Sequence, residues 1–320
     1  MEARRGGRWE GDPLREAMER ALRAEEDRMA GKAASPYHGA TGEPFLPESL
    51  SVSELEDLAT CPFRFYVRHL LRPRGDREAE DGGWADLGAF LHRVIARVFR
   101  AALAEDKRKG KEVSALALGE GGLLEKAFSE VEAEWGRRPD SPFFLRRPDW
   151  PHRRGRFFRL LARAFGDGKG FLKEDAEILD VEVEVGAGKV FKGLVRGYDG
   201  LKVQGAIDRL ELRSGSRFYL DYKLGSAFPR VKDPRTGELS TDLQLPLYIL
   251  LHGKGRGAGV YYSLTTGKTK SAKRDLSALW VVFKEVRRAL KNGAFPPHPD
   301  RKGEACRGCS AALLCRYAGR

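Results

Sequence analysis

Two aspartates and a lysine, split by a turn, are where this 320-residue sequence first points to chemistry. Asp208 stands in Gly205-Ala206-Ile207-Asp208-Arg209, and thirteen positions later comes Asp221-Tyr222-Lys223. Side chains alternate faces along a strand, so Asp221 and Lys223 share one face and Leu220 and Tyr222 the other. A hairpin about Ser214-Gly215-Ser216 would bring Asp208 beside Asp221. Paired carboxylates hold a hard divalent cation through oxygen. Such a cation polarises a phosphoryl oxygen and lowers the pKa of water, and a neighbouring ammonium offsets the negative charge that grows during phosphodiester hydrolysis. By itself an Asp-x-Lys on a hairpin is more often a surface ion pair, so the surroundings must decide.

The elements that would position these residues follow from periodicity. Ser51 with Glu54, or Ser53 with Glu56, matches a helix-capping box, and that helix breaks at Cys61-Pro62 because proline removes a donor and restricts the residue before it. A short helix over 63–71 follows. Leu87, Leu91, Val94, Ile95 and Val98 recur at helical spacing between Trp84 and Leu103, on a helix that also carries His92. Further helices are predicted over 122–135 and 155–172. From about residue 176 the period becomes two, with Val181, Val183 and Val185 alternating with Glu182 and Glu184. Strands are predicted at 190–196, 201–213 and 217–224, then a helix at 240–252, a strand at 258–264 and a helix at 275–291. This order describes an α/β or α+β domain around a mixed central sheet. Residues 1–30 pattern as one charged helix and 31–47 as a Gly/Pro-rich linker, so 1–50 is expected to be peripheral and 51–320 to form the compact domain.

The motifs together resemble one family. Gly205-x-x-Asp208, Asp221-Tyr222-Lys223 and Gln244-Leu-Pro-Leu-Tyr248 stand in the order and spacing of RecB-family PD-(D/E)xK nucleases, and Gly88-Ala-Phe-Leu-His92 resembles that family's histidine helix. The resemblance covers roughly residues 50–318 and implies a restriction-endonuclease-like fold, a mixed sheet flanked by helices. It implies metal ligation (Mg²⁺ or Mn²⁺) by His92, Asp208, Asp221 and the backbone carbonyl of Tyr222. Lys223 would assist the water, and Gln244 and Tyr248 would line the site. Taken singly, His92 and Tyr248 are more often core residues.

Cysteine is used four times: Cys61, Cys306, Cys309 and Cys315. Three are local and one is remote, so common ligation would close a loop around the whole domain. Four thiolates suit zinc or an iron–sulfur cluster. The Cys-Pro-Phe-Arg-Phe before the core and the Cys-x2-Cys-x5-Cys behind it resemble AddB-type nuclease domains, which implies a [4Fe–4S] cluster joining the N- and C-terminal segments.

Lys and Arg number 58 against 46 Asp and Glu, a net charge of +12 that favours a polyanionic partner. Arginines and aromatic rings interleave over 136–159, making Arg146, Arg147, Arg153 and Arg154 candidate DNA contacts; Arg64, Arg68 and Arg72 are others. An irregular solvated connector around Trp150 is the plainer alternative for 136–159. No apolar run reaches the ~20 residues of a membrane helix. None follows Met1 either, so no signal peptide is expected and the cytoplasm is the default location. No GxxxxGK[ST] loop occurs, so no ATP motor is expected in this sequence. The expected function is metal-dependent cleavage of DNA, as an exonuclease or single-strand nuclease in repair, recombination or foreign-DNA processing. The alternative is a non-cleaving DNA-end module serving a helicase partner.

Overall fold

The computed structural model describes residues 39–72, 83–119, 122–139, 141–168, 170–186, 202–225, 228–273, 275–315 and 317, with four positions before them. Most of the helix expected over 1–30, and the strand expected at 190–196, lie outside the described residues.

A short strand β1 (Ser49–Ser51) leads into α1 (Val52–Thr60). Of the two capping boxes on offer, Ser51 and Glu54 form it: the Ser51 hydroxyl accepts from the Glu54 amide at 3.2 Å, and the Glu54 carboxylate accepts from the Ser51 amide at 2.7 Å. The chain turns extended at Cys61, then continues as α2 (Pro62–Phe65) and one π-helical segment (Tyr66–Leu71). The long helix α3 (Trp84–Ala104) buries Leu87, Leu91, Val94, Ile95 and Val98. It is followed by α4 (Gly110–Leu118), α5 (Leu123–Gly136), α6 (Phe143–Arg146) and α7 (Trp150–Gly166). Strands β2 (Glu177–Val185), β3 (Lys202–Arg213) and β4 (Ser216–Lys223) come next, then β5 (Val231–Lys232) and β6 (Leu239–Thr241). Helix α8 (Gln244–Leu251), strands β7 (Ala258–Ser263) and β8 (Thr269–Ser271), and helix α9 (Leu276–Asn292) complete the domain.

The main sheet is mixed, with β1, β3, β4, β7 and β8 in order and β2 also on β3. β1 and β3 run parallel, as do β4 and β7; the other pairings are antiparallel. β3 and β4 form the expected hairpin, closed by Ser214 and Gly215 with φ of 45° and 74°, the positive pair that a two-residue turn needs. One apolar cluster joins α1, α8 and α9 to the sheet, and a second joins α3, α4, α5 and α7 to it. The sheet is therefore covered on both faces, as the sequence pattern implies.

The structure departs from the sequence pattern at four points. The helix placed at 155–172 runs from Trp150 to Gly166, since Pro151 fits a first helical turn, where its missing N–H costs nothing. Its Trp150 is buried among Phe90, Phe144 and Phe157, so the second half of 136–159 is helix rather than irregular connector. Helix α4 escapes the sequence reading because a run of charge precedes its few apolar residues. Packing also begins before residue 51: Thr41 and Phe45 donate backbone bonds to Gly293 and Leu290, and the Phe45 ring meets Phe65 and Phe295. Gly293 accepts that approach only as glycine, because a Cβ there would lie 1.8 Å from the Glu43 carbonyl oxygen.

Candidate active site

The hairpin, α3 and α8 deliver their polar side chains to one place. The β3–β4 ladder stops at the pair Arg209 and Leu220. Beyond it the Tyr222 amide donates to the Asp208 carboxylate at 2.6 Å, so a side chain takes the role of the next strand carbonyl. The other Asp208 oxygen lies 3.2 Å from His92 Nδ1, which α3 brings down onto the sheet. Asp221 and Lys223 share a face as alternation requires, with Lys223 Nζ 2.7 Å from Asp221 Oδ2. Gln244, at the start of α8, clamps them: its Nε2 donates to Asp221 at 2.6 Å while its Oε1 accepts from Lys223 at 2.9 Å. Tyr248, one turn on, lies 3.4 Å from Gln244 Nε2. His92, Asp208, Asp221, Lys223, Gln244 and Tyr248 thus converge from four elements.

Gly205 has a steric reason to be glycine. A Cβ there would stand 2.7 Å from the Tyr248 hydroxyl and 2.9 Å from its ring. Gly205→Ala should displace Tyr248 and the clamp beneath it, cutting cleavage on the order of 100-fold and destabilising the fold by about 1–3 kcal/mol. Adding Tyr248→Ala should restore the lost stability without the activity. Gly205→Ala behaving as wild type in melts and cleavage assays would contradict this packing.

Burial sets the electrostatics, and the neighbours reshape it. Burial, with Asp208 close by, pushes Asp221 up to about 6 even though Lys223 opposes the shift. Burial also works against Asp208, but His92 and the Tyr222 amide outweigh it and hold that carboxyl below its usual range. Burial disfavours a charged His92, yet the Asp208 carboxylate prevails and pushes the imidazole up to about 9. The donor set, two buried carboxylates and an imidazole, fits a hard divalent cation. Among the described residues no three His, Cys, Asp or Glu side chains stand in ready ligating geometry; Asp208 and Asp221 are each engaged with neighbouring donors.

The pH dependence follows. Metal ligation needs neutral imidazole, so Mn²⁺ affinity should rise by up to about tenfold per pH unit towards pH 9. Without metal the sign reverses. A raised His92 pKa gives stability that is complete below about 6.5 and lost as pH climbs through about 9. Melts in EDTA and in Mn²⁺ at pH 6.5 and 9 check both halves; equal Mn²⁺ stabilisation at the two pH values would count against His92 as a ligand.

Two acidic residues belong to this site that the motifs did not mark. With Glu54 taking the cap, Glu56 is left to face Lys223 and Asp221, and burial pushes it up to about 7. Its Oε1 is closed off from solvent with no hydrogen-bond partner among the described residues. A glutamate between buried Leu55 and Leu58 was the available signal. Glu182 looks like the polar side of an alternating strand. The β2–β3 register runs unbroken past it, with Val181 opposite Arg209 and Val183 opposite Ile207, which sets Glu182 across from Asp208; burial and then Asp208 hold its carboxyl above the usual range. Arg209, next to Asp208, is a support: its guanidinium is fully buried 4.8 Å from Phe99, 4.9 Å from Phe171 and 5.5 Å from Tyr222, and it pairs with Glu211 at 2.9 Å.

All four cysteines line a single small cavity, with Phe63, Arg64, His298 and Tyr317 among its other walls. Burial pushes the Cys306 thiol up, and Cys61, Cys309 and Cys315 add to the shift. Four thiols around one cavity are the donor chemistry of a thiolate-ligated metal centre, and among the described residues no three of them stand in ready ligating geometry. The His298 amide already donates to Cys61 Sγ at 3.3 Å.

The candidate DNA-contact arginines divide. Arg64 and Arg68 both pair with Asp57, at 2.7 and 3.0 Å, and Arg72 donates to the His69 carbonyl. Arg154 is held by Glu125 and Glu132. Arg147 pairs with Asp149, Arg146 is exposed, and Arg153 lies over Trp84. None of the seven is among the partners of the Asp208–Asp221 pair.

A family model described as the PD-(D/E)XK nuclease superfamily matches residues 49–316. The chain belongs to that superfamily. The RecB-like motif order and the mixed, helix-flanked sheet agree with this membership. Similar proteins include an ATP-dependent helicase/deoxyribonuclease subunit of Carboxydothermus hydrogenoformans, 25% identical over 66% of this chain and 19% of the relative. The same-named protein of Clostridium acetobutylicum is 29% identical over 62% of this chain and 17% of the relative. That of Thermoanaerobacter pseudethanolicus is 39% identical over 59 residues, 18% of this chain and 5% of the relative. The chain thus spans less than a fifth of the length of these relatives. Among the described residues no helix is long and apolar enough to cross a membrane.

Proposed function

We propose that this chain is a metal-dependent deoxyribonuclease, hydrolysing phosphodiesters in single-stranded DNA or at duplex ends during repair or recombination. The observation that carries this reading is the clamp of Asp221, Lys223 and Gln244 set beside the Asp208–His92 pair. His92, Asp208, Asp221 and the Tyr222 carbonyl would hold a Mg²⁺ or Mn²⁺ ion. When bound, that ion supplies positive charge at the scissile phosphate and an acidified water. The residues do the rest. Asp208 and the Tyr222 amide fix the strand end, Gln244 keeps Asp221 and Lys223 in register, and the Lys223 ammonium can orient the water and offset charge developing on phosphate. The four cysteines would carry a [4Fe–4S] cluster as a structural clip. The names of the relatives support a helicase partner for this chain too.

Labelled single- and double-stranded DNA, incubated with Mg²⁺ or Mn²⁺ and separately with EDTA, tests the reading. Cleavage that needs the cation is expected. Tight DNA binding with no cleavage under any cation would favour the non-cleaving end module instead.

A further inference from the structure

The N-terminal end of α3 carries an exposed aromatic surface that the catalytic reading leaves unexplained. Trp84, the first residue of α3, is 55% exposed, and Phe143 on α6 is 41% exposed. Exposed rings with a guanidinium beside them can take a base by its face and a phosphate by charge. These two ride on a rigid base: buried Phe144 packs 5.6 Å from Phe90 and 5.0 Å from Trp150, and Gly83 brings the start of α3 up against Phe144. Each exposed ring also has its own cation. The Arg153 guanidinium lies 5.9 Å from the Trp84 ring, and that of Arg147, which a phosphate would share with or take from Asp149, lies 5.9 Å from the Phe143 ring.

The same helix leads from these rings to the site. Trp84, Gly88 and His92 follow at four-residue spacing, which keeps them along one stripe. The middle position is bare, because nothing lies within 4 Å of where a Gly88 Cβ would point. Unlike Gly205, Gly88 is not forced by a packed neighbour; it leaves the stripe low. Eight residues of helix span roughly 12 Å, about three to four stacked nucleotides at ~3.4 Å each.

We propose that Trp84 and Phe143 are a stacking platform for single-stranded DNA, from which the strand passes over Gly88 to His92, with Arg147 and Arg153 on its phosphates. A flat ring flanked by a cation takes any base by its face and the adjoining phosphate by charge, so the platform is selective for unpaired strands and indifferent to sequence. Duplex DNA, whose bases are already stacked, gains little from it. The proposal rests on the nuclease reading and adds how the substrate reaches the site.

The test is binding of a fluorescent oligothymidylate to the full chain in EDTA, followed by anisotropy, beside hydrolysis of bis(p-nitrophenyl) phosphate in Mn²⁺, a substrate too small to reach the rings. Trp84→Ala with Phe143→Ala should weaken oligothymidylate binding on the order of thirtyfold. Affinity for blunt duplex and hydrolysis of the small ester should stay close to wild type. Trp84→Phe, which keeps a ring, should bind nearly as wild type does. Unchanged oligothymidylate affinity in the double variant overturns the platform, as does equal weakening of duplex binding or loss of small-ester hydrolysis, which would make the rings structural. Absence of small-ester hydrolysis in the wild type would sink the nuclease reading and leave the binding result standing.

Discussion

Replacing Lys223 with alanine should lower DNA cleavage about 1000-fold while leaving DNA affinity within a few-fold of wild type. The magnitude is that of removing one preorganised donor from a developing charge, roughly 100- to 1000-fold, with a second effect added. Lys223 lies 2.7 Å from Asp221 and is the chief influence holding that carboxyl down against burial. Without it Asp221 should protonate more readily, and metal affinity should fall as well. The two effects separate by titration. Saturating Mn²⁺ should recover the part lost through Asp221 and leave the part lost through the missing ammonium. Asp221→Asn should abolish cleavage at any practical metal concentration. The double variant should be little worse than the worse single one, because both residues serve one step. Turnover near the wild-type rate in Lys223→Ala at saturating Mn²⁺ would remove Lys223 from the chemistry.

Why this site was legible in the sequence, and its acidic flanks were not, has a physical reason. Asp208, Asp221 and Lys223 lie on a hairpin, where period-two alternation and a Ser-Gly turn fix which side chains meet. His92 and Tyr248 were harder, since each sits on an apolar helix where a core role is the ordinary one; only the joint motif order singled them out. Glu182 was missed because alternation was read as valines in and glutamates out; the sheet is covered on both faces, and the register sets Glu182 across from Asp208. Glu56 was missed because two capping boxes competed, and only packing decides which glutamate caps and which faces Lys223. Arg64, Arg68 and Arg154 show what sequence leaves out. Sequence shows a basic residue but not the carboxylate folded against it, here Asp57 for the first two and Glu132 for the third. Charge composition predicts a polyanionic partner, and it does not say which cations remain to meet one.

Cys61→Ala should cost both the iron chromophore and a large share of the stability, and through stability the activity. Cys61 lies on one side of the domain's sequence and Cys306, Cys309 and Cys315 on the other, yet all four line one cavity. Bridging positions so far apart restricts the unfolded chain strongly; a cross-link closing a loop of some hundreds of residues contributes about 5 kcal/mol in the chain-entropy account. For a domain this size that corresponds to a fall in Tm of roughly 10–20 °C. The link to catalysis is geometric. Cys61 is the residue at which α1 ends and α2 begins, with Pro62 fixing the start of the second helix. Helix α1 carries Glu56 towards Lys223, and Asp57 into its pairs with Arg64 and Arg68. Releasing Cys61 should loosen α1 first, so cleavage should fall at temperatures where the sheet and α3 remain folded. Iron content, melting and cleavage, measured on anaerobically prepared wild type and Cys61→Ala, check the sequence of events. Iron in the wild type at about four atoms per chain, the content of one such cluster, supports the cluster, and stoichiometric zinc in its place would keep the clip while changing its metal. A Cys61→Ala protein without metal that melts with the wild type would show that the four thiols fasten nothing.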